Sequence, residues 1–278
     1  MNNLFRRSIV KMNKIFHRAT SFMRVMPDFL VIGNSFCGKT LLYDYMIQHP
    51  LIIKNLREET AFWGWYYSKG ITWYKSNFPT IFHKKFLEAK YGEKSHVGET
   101  VNIPFRDRPE QIHSILPNSK IIVILRNPVD RSYVRYLADV RAGEEKRTFE
   151  ESIENPKPKT GILKEMKMNK IEGVNEDDSL YVTGSIYYND LKRWGEFFPL
   201  KEMLFLSSEE LIQNPLRTVN MALEFLELEP LKSIKKIGKD LEKNSEEMKI
   251  DTREKLQKIF EPHNKKLFEL IGNKFNWK

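Results

Sequence analysis

One cysteine, Cys37, stands among 278 residues. It can form no intramolecular disulfide, so a disulfide scaffold and a cysteine-based zinc site are both excluded, and a reducing compartment is expected. Long apolar runs are also missing: no uninterrupted stretch reaches the roughly 20 residues that a membrane-spanning helix needs. There is no internal repeat, and no spaced set of His, Cys, Asp and Glu suited to a metal. His49, His96 and His113 stand singly and read as structural. No acid precedes Asp28, whereas Arg6, Arg7, Lys11, Lys14, Arg18 and Arg24 do, with apolar residues between them at roughly helical spacing. Residues 1–27 therefore form a basic N-terminal extension. Such a segment is solvated or packed, serves as a targeting peptide, or makes peripheral contact with an anionic membrane.

The remaining 28–278 read as one domain, since 41% hydrophobic composition supplies an ample core. A formal charge of +9 calls for an anionic partner. Nucleotide, sulfated glycan, nucleic acid and membrane surface all satisfy that requirement.

Phe29 to Ile32 is an apolar, β-branched strand, Gly33 to Thr40 a loop, and Leu41 to Gln48 a helix halted by His49-Pro50. Ile121 to Leu125 is a second buried strand, running straight into Arg126-Asn127-Pro128, and Met203 to Leu206 is a third. Helical patterns cover Arg131 to Arg141, Tyr187 to Phe197, Asn214 to Leu226 and Thr252 to Ile271. The alternation predicts an α/β fold with a central parallel sheet flanked by helices. Residues 155–180 and 230–250, lysine-rich and weakly periodic, are expected as loops or lids.

Gly33-Asn34-Ser35-Phe36-Cys37-Gly38-Lys39-Thr40 matches G-x-x-x-x-G-K-[ST] in full, after a strand and before a helix. Successive backbone N–H groups and a helix N-terminus make an anion cradle there, to which Lys39 adds charge and Thr40 a hydroxyl. The fold expected is thus of the P-loop-containing nucleotide-binding type. Phosphoryl transfer on such a loop requires Mg²⁺ held partly by an acid at a neighbouring strand end. The strand at 121–125 ends in Arg126 instead, which repels a metal and attracts a second phosphate. A metal-free ligand with two separate anionic groups, such as 3′-phosphoadenosine 5′-phosphosulfate (PAPS), fits that pairing.

From about Pro27 onward the chain resembles the PAPS-dependent sulfotransferases, especially the heparan sulfate N- and 3-O-sulfotransferase branch. The segments that carry the likeness begin with Asp28 to Pro50, Glu58 to Trp63 and Lys69 to Tyr74. They continue with Lys120 to Tyr136 (which holds R-N-P-x-x-R), Tyr187 to Trp194, Ser208 to Leu211, Phe260 to Asn264 and Phe275 to Trp277. The resemblance implies that residues 34–42, including Ser35, Phe36, Cys37, Gly38, Lys39, Thr40 and Leu41, wrap the 5′-phosphosulfate. It also implies that Arg126 meets the 3′-phosphate, with Lys235, Lys236 and Lys239 in the late loop above that end. Glu59 falls on the family's proposed general base, in E-x-x-F-F, and Glu99 is the reserve acid. Three positions depart from the pattern: Phe36 and Thr100 stand where the family has lysines, and Val134 where it has a serine. Lys39 is expected to restore the missing cation by turning back over the loop.

The resemblance implies a sulfotransferase moving a sulfuryl group from PAPS to a hydroxyl or amine of a carbohydrate or small molecule. It implies no metal and no nucleic-acid partner. Lacking an anchor and the disulfide of the Golgi enzymes, the chain is expected to be cytoplasmic. A nucleoside-phosphate kinase or NTPase using the same loop, and a non-catalytic binder of anionic glycans or nucleotides, are the rival readings. Trp63, Trp65, Tyr66, Tyr67, Trp73 and Tyr74 should divide between the core and a surface that stacks a ring.

Overall fold

The structure, a computed structural model, describes residues 16–57, 59–101, 108–155, 181–237 and 247–277. Its first half runs β1 (Phe29–Ile32), α1 (Lys39–Met46), β2 (Ile52–Ile53), α2 (Gly70–Lys75), α3 (Ile81–Tyr91), β3 (His96–Thr100), α4 (Pro109–Ile115) and β4 (Lys120–Leu125). The second half runs α5 (Pro128–Arg141), α6 (Phe149–Glu154), α7 (Tyr188–Trp194), β5 (Met203–Ser207), α8 (Ser208–Gln213), α9 (Pro215–Phe225) and α10 (Ile250–Ile271).

The strands pair in the order β2-β3-β1-β4-β5, every pairing parallel. A parallel sheet is covered on both faces, and β1 and β4 are accordingly continuous apolar runs with nearly every residue buried. The chain leaves β1 in one direction for β2 and β3 and in the other for β4 and β5, so the strand order reverses at β1. Ligands of open α/β sheets bind beyond the carboxyl ends of the strands at such a point.

The expected parallel α/β architecture is present, with two strands that the apolar pattern did not mark. In β3 the sequence is His96-Val97-Gly98-Glu99-Thr100, and all five residues are buried. Its polar side chains are a consequence of position: the strand lies between β2 and β1, and its neighbours on both faces close over it. Gly98 is required by packing, because a Cβ there would lie 2.1 Å from a ring carbon of Phe29 on the paired strand. Of the stretches expected as loops, residues 156–180 and 238–246 lie outside the described residues. Residues 231–237 form no regular element, and Lys235 and Gln48 exchange two hydrogen bonds of 2.7 and 3.0 Å.

Candidate active site

Residues 33–38 turn the chain from β1 into α1, and the turn depends on positive φ at Gly33 (143°), Phe36 (70°) and Gly38 (89°). At Gly33 a Cβ would lie 2.2 Å from the Ile124 carbonyl oxygen of β4, so only glycine fits. Gly38 caps α1 without a side chain, leaving that helix's first amides directed into the loop. Lys39 Nζ is buried and donates to the Gly33 and Asn34 carbonyls at 2.5 and 3.2 Å. Burial lowers its amine to about 8, with the Cys37 and Glu59 side chains opposing the shift.

Two arginines of α5 and its approach grip the same loop. Arg126 donates through Nη1 to the Phe36 carbonyl at 3.4 Å, and Arg131 through Nε to the Ser35 carbonyl at 3.3 Å. Both are buried, and a third, Arg135, places its guanidinium 5.8 Å from the centroid of the Phe36 ring. Arg131 reaches the loop because α5 begins where it does. The Asn127 side chain accepts from the Val129 amide at 3.0 Å and Pro128 takes the first helical position, so residue 131 sits in the first turn.

The two candidate acids lie at different depths. Glu59 is half-buried and accepts through Oε1 from the Thr40 hydroxyl at 3.0 Å, which sets a carboxylate against the first turn of α1. Glu99 is 1% exposed. Its Oε1 accepts from the Thr60 hydroxyl, and its Oε2 from Tyr74 at 2.5 Å and the Trp63 indole at 3.3 Å. Burial raises its carboxyl to about 7 against the pull of those donors. Glu99 stands on β3, the strand beside β1, and its oxygens are engaged inside the core. Because Thr60 follows Glu59 directly, the buried acid fixes the backbone from which the outer acid reaches the loop.

Of the six aromatic residues, Trp63 and Tyr74 are core and the other four are half-buried. Over Tyr66 and Trp73 lie two cations: Lys69 Nζ at 4.0 and 4.8 Å from the ring centroids, and the Arg57 guanidinium at 5.0 and 5.7 Å. Lys235 and Lys236 are exposed, and their segment is tied to Gln48 and Tyr45, at the end of α1 away from the loop. The structure therefore does not bring them to Arg126, and Lys239 lies outside the described residues.

A family model described as "Sulfotransferase domain" matches residues 26–271. The chain belongs to the sulfotransferase family. A bifunctional heparan sulfate N-deacetylase/N-sulfotransferase 1 of Caenorhabditis elegans is 27% identical over 88% of this chain, which spans 30% of that protein's length. The human heparan sulfate glucosamine 3-O-sulfotransferase 6 is 24% identical over 91% of this chain and 74% of its own length. Among solved structures, a sulfotransferase from Alicyclobacillus acidocaldarius shares the fold with a TM-score of 0.63 at 24% identity, covering 90% of this chain and 98% of that one. The expected likeness to the heparan sulfate branch is borne out, and the chemistry of this enzyme is sulfuryl transfer.

The sulfotransferase has further site residues that its sequence did not single out. Asn34 Nδ2 donates to the Gly184 carbonyl at 2.7 Å, and Arg131 Nη1 donates to the Ser185 hydroxyl at 3.2 Å. The segment before α7 thus closes on the loop from the side. Tyr187 donates to the Arg126 carbonyl at 2.9 Å. Glu209 accepts from the Asn127 amide at 2.8 Å and from the Trp277 indole at 3.2 Å, bracing the β4–α5 corner from two late segments. The available signal was the motif R-N-P-x-x-R, whose second arginine is Arg131. A groove of about 980 Å³ opens between Asn127, α10 and Trp277, and no residue of the phosphate loop lines it.

Proposed function

We propose that this sulfotransferase takes its sulfuryl group from PAPS and delivers it to a hydroxyl or amine of a carbohydrate, without a metal. The observation that carries the reading is the 3.0 Å hydrogen bond from Thr40 to Glu59, which couples a carboxylate to a loop built for phosphate. The residues present fit the donor: a cradle whose first position admits only glycine, a buried lysine turned over it, and two buried arginines beside it. Bound PAPS supplies the sulfuryl group and, as the bisphosphate, the leaving group.

Lys39 and the first amides of α1 hold the 5′-phosphate side and offset the charge that develops there. Arg126 takes the 3′-phosphate, and Arg131 adds a second guanidinium on the same side. Glu59 accepts the proton that the acceptor hydroxyl or amine gives up as its new bond to sulfur forms and the sulfur–phosphate oxygen bond breaks. Glu99 acts through Thr60 as a positioning residue. Support for a carbohydrate comes from the relatives' names and from Tyr66 and Trp73, whose faces and overlying cations suit an anionic sugar. The buried thiol of Cys37 is in keeping with a reducing, cytoplasmic setting.

The test is thermal stabilisation by 3′-phosphoadenosine 5′-phosphate against ATP with Mg²⁺, for the wild type and Arg126→Ala. A ligand at about 100 times its Kd adds roughly 2.7 kcal/mol. The expected result is a metal-independent shift with the bisphosphate that Arg126→Ala removes, followed by label transfer from PAPS to partially desulfated heparan-type glycans. A shift with ATP and Mg²⁺ alone transfers the site to a kinase. Bisphosphate binding with no transfer to any glycan or small alcohol leaves a binder.

A further inference from the structure

The face of α3 that points away from the sheet is apolar and basic. Lys84 Nζ reaches both oxygens of Asp28 at 2.6 and 2.8 Å, and Glu88 Oε1 accepts from the Ser95 amide and hydroxyl at 3.2 Å. Asp28 and Ser95 immediately precede β1 and β3, so α3 lies across the amino-terminal edge of the sheet with residues 84 and 88 inward. At about 100° per residue, 82, 85, 86 and 89 then project outward together. Phe82 is 61% and Phe86 64% exposed, with exposed Lys85 between them. No residue of α3 is fully buried.

A second exposed segment joins the chain at the start of α3. Arg24 forms an antiparallel bridge to Thr80, the cap of α3, and donates through Nη1 to the Phe78 carbonyl at 2.7 Å, while Ser21–Met23 packs against α2. In this segment Phe16 and Phe22 are 62% and 76% exposed. Residues 16–27 carry no acid and an exposed Arg18, Arg24 being buried, and continue the acid-free basic run of the sequence before them. Two copies meeting through this face would bring two basic, acid-poor surfaces together, which disfavours self-association.

We propose that this face docks the enzyme on an anionic lipid surface, with Phe82 and Phe86 entering the headgroup boundary and the exposed Lys85 and Arg18 pairing with lipid charge. The phosphate loop stands at the opposite, carboxyl end of β1, about 13 Å along a four-residue strand. Docking therefore leaves that loop open to the aqueous side.

Flotation of the full chain with vesicles tests this, comparing phosphatidylcholine alone with phosphatidylcholine containing about one third phosphatidylserine. The wild type is expected to float with the anionic vesicles and to be released as salt rises. Phe82→Ser/Phe86→Ser should bind them about tenfold less tightly or worse. Both side chains are exposed, so an unchanged melting temperature for the double variant verifies its fold. The proposal is overturned if the wild type ignores anionic vesicles, binds neutral ones equally, or binds as well after the double substitution. It also falls if sedimentation shows a dimer that the double substitution dissociates and vesicles do not.

Discussion

Replacing Glu99 by glutamine isolates a single buried titration. The carboxyl is raised from 4.5 to about 7, chiefly by burial, so between those values the folded chain holds a proton that the unfolded chain has released. Stability must therefore fall as pH rises through that window, and the penalty is complete above about pH 7. Taken at face value the difference corresponds to ~3 kcal/mol. Glutamine cannot ionise, yet its carbonyl can accept from Trp63 and Tyr74 while its amide donates to the Thr60 hydroxyl, which already accepts from the Phe62 amide at 3.1 Å. Urea unfolding of both proteins at about pH 5 and about pH 8 gives the comparison, since every other titrating group cancels in the difference. The variant should gain on the wild type by ~2.5 kcal/mol between the two conditions, since part of the window lies below about pH 5, whatever its constant offset. Parallel stability profiles would refute the assignment of a largely protonated Glu99 in the folded state at mildly acidic pH.

Glu59→Gln keeps an acceptor for Thr40 and removes the proposed base, so steady-state transfer should drop by about 10²- to 10⁴-fold while calorimetric affinity for the bisphosphate stays level. The Lys39 amine, lowered to about 8 by burial, is charged below that pH and neutral above it. Bisphosphate affinity should accordingly weaken as pH rises through about 8, approaching tenfold per pH unit, with Lys39→Arg holding a flat profile over the same range. Gly98→Ala drives a methyl group against the buried Phe29 ring and should cost about 1–3 kcal/mol in chemical denaturation. Phe29→Leu in the same chain should restore part of that loss.

Elements whose apolar residues face inward were legible, and those built the other way were not. β1 and β4 are uninterrupted hydrophobic runs, and the loop between β1 and α1 carries a glycine pattern with a physical reason at each end. β3 escaped because histidine, glutamate and threonine fill a central strand, and its acid's partners, Thr60, Trp63 and Tyr74, are 25 to 39 residues away. α3 escaped for the converse reason: Phe82 and Phe86 point outward while Lys84 and Glu88 turn inward, which inverts the usual stripe. At the site, Lys39 and Glu59 could be placed from local pattern and resemblance. The side-on closure by Gly184 and Ser185, and the brace on Asn127, depend on pairs more than 50 residues apart and leave no periodic trace.

The brace on Asn127 imposes an order on synthesis. Asn127 meets Glu209, 82 residues later, and Glu209 is shared with Trp277, a further 68 residues on. A chain leaving the ribosome amino-end first can close its anion loop around β1 and β4 well before the corner that carries Arg126 has its support. During that interval the loop has formed while the β4–α5 corner beside it still lacks its carboxylate support. The brace on that corner is complete only once Trp277 has been translated.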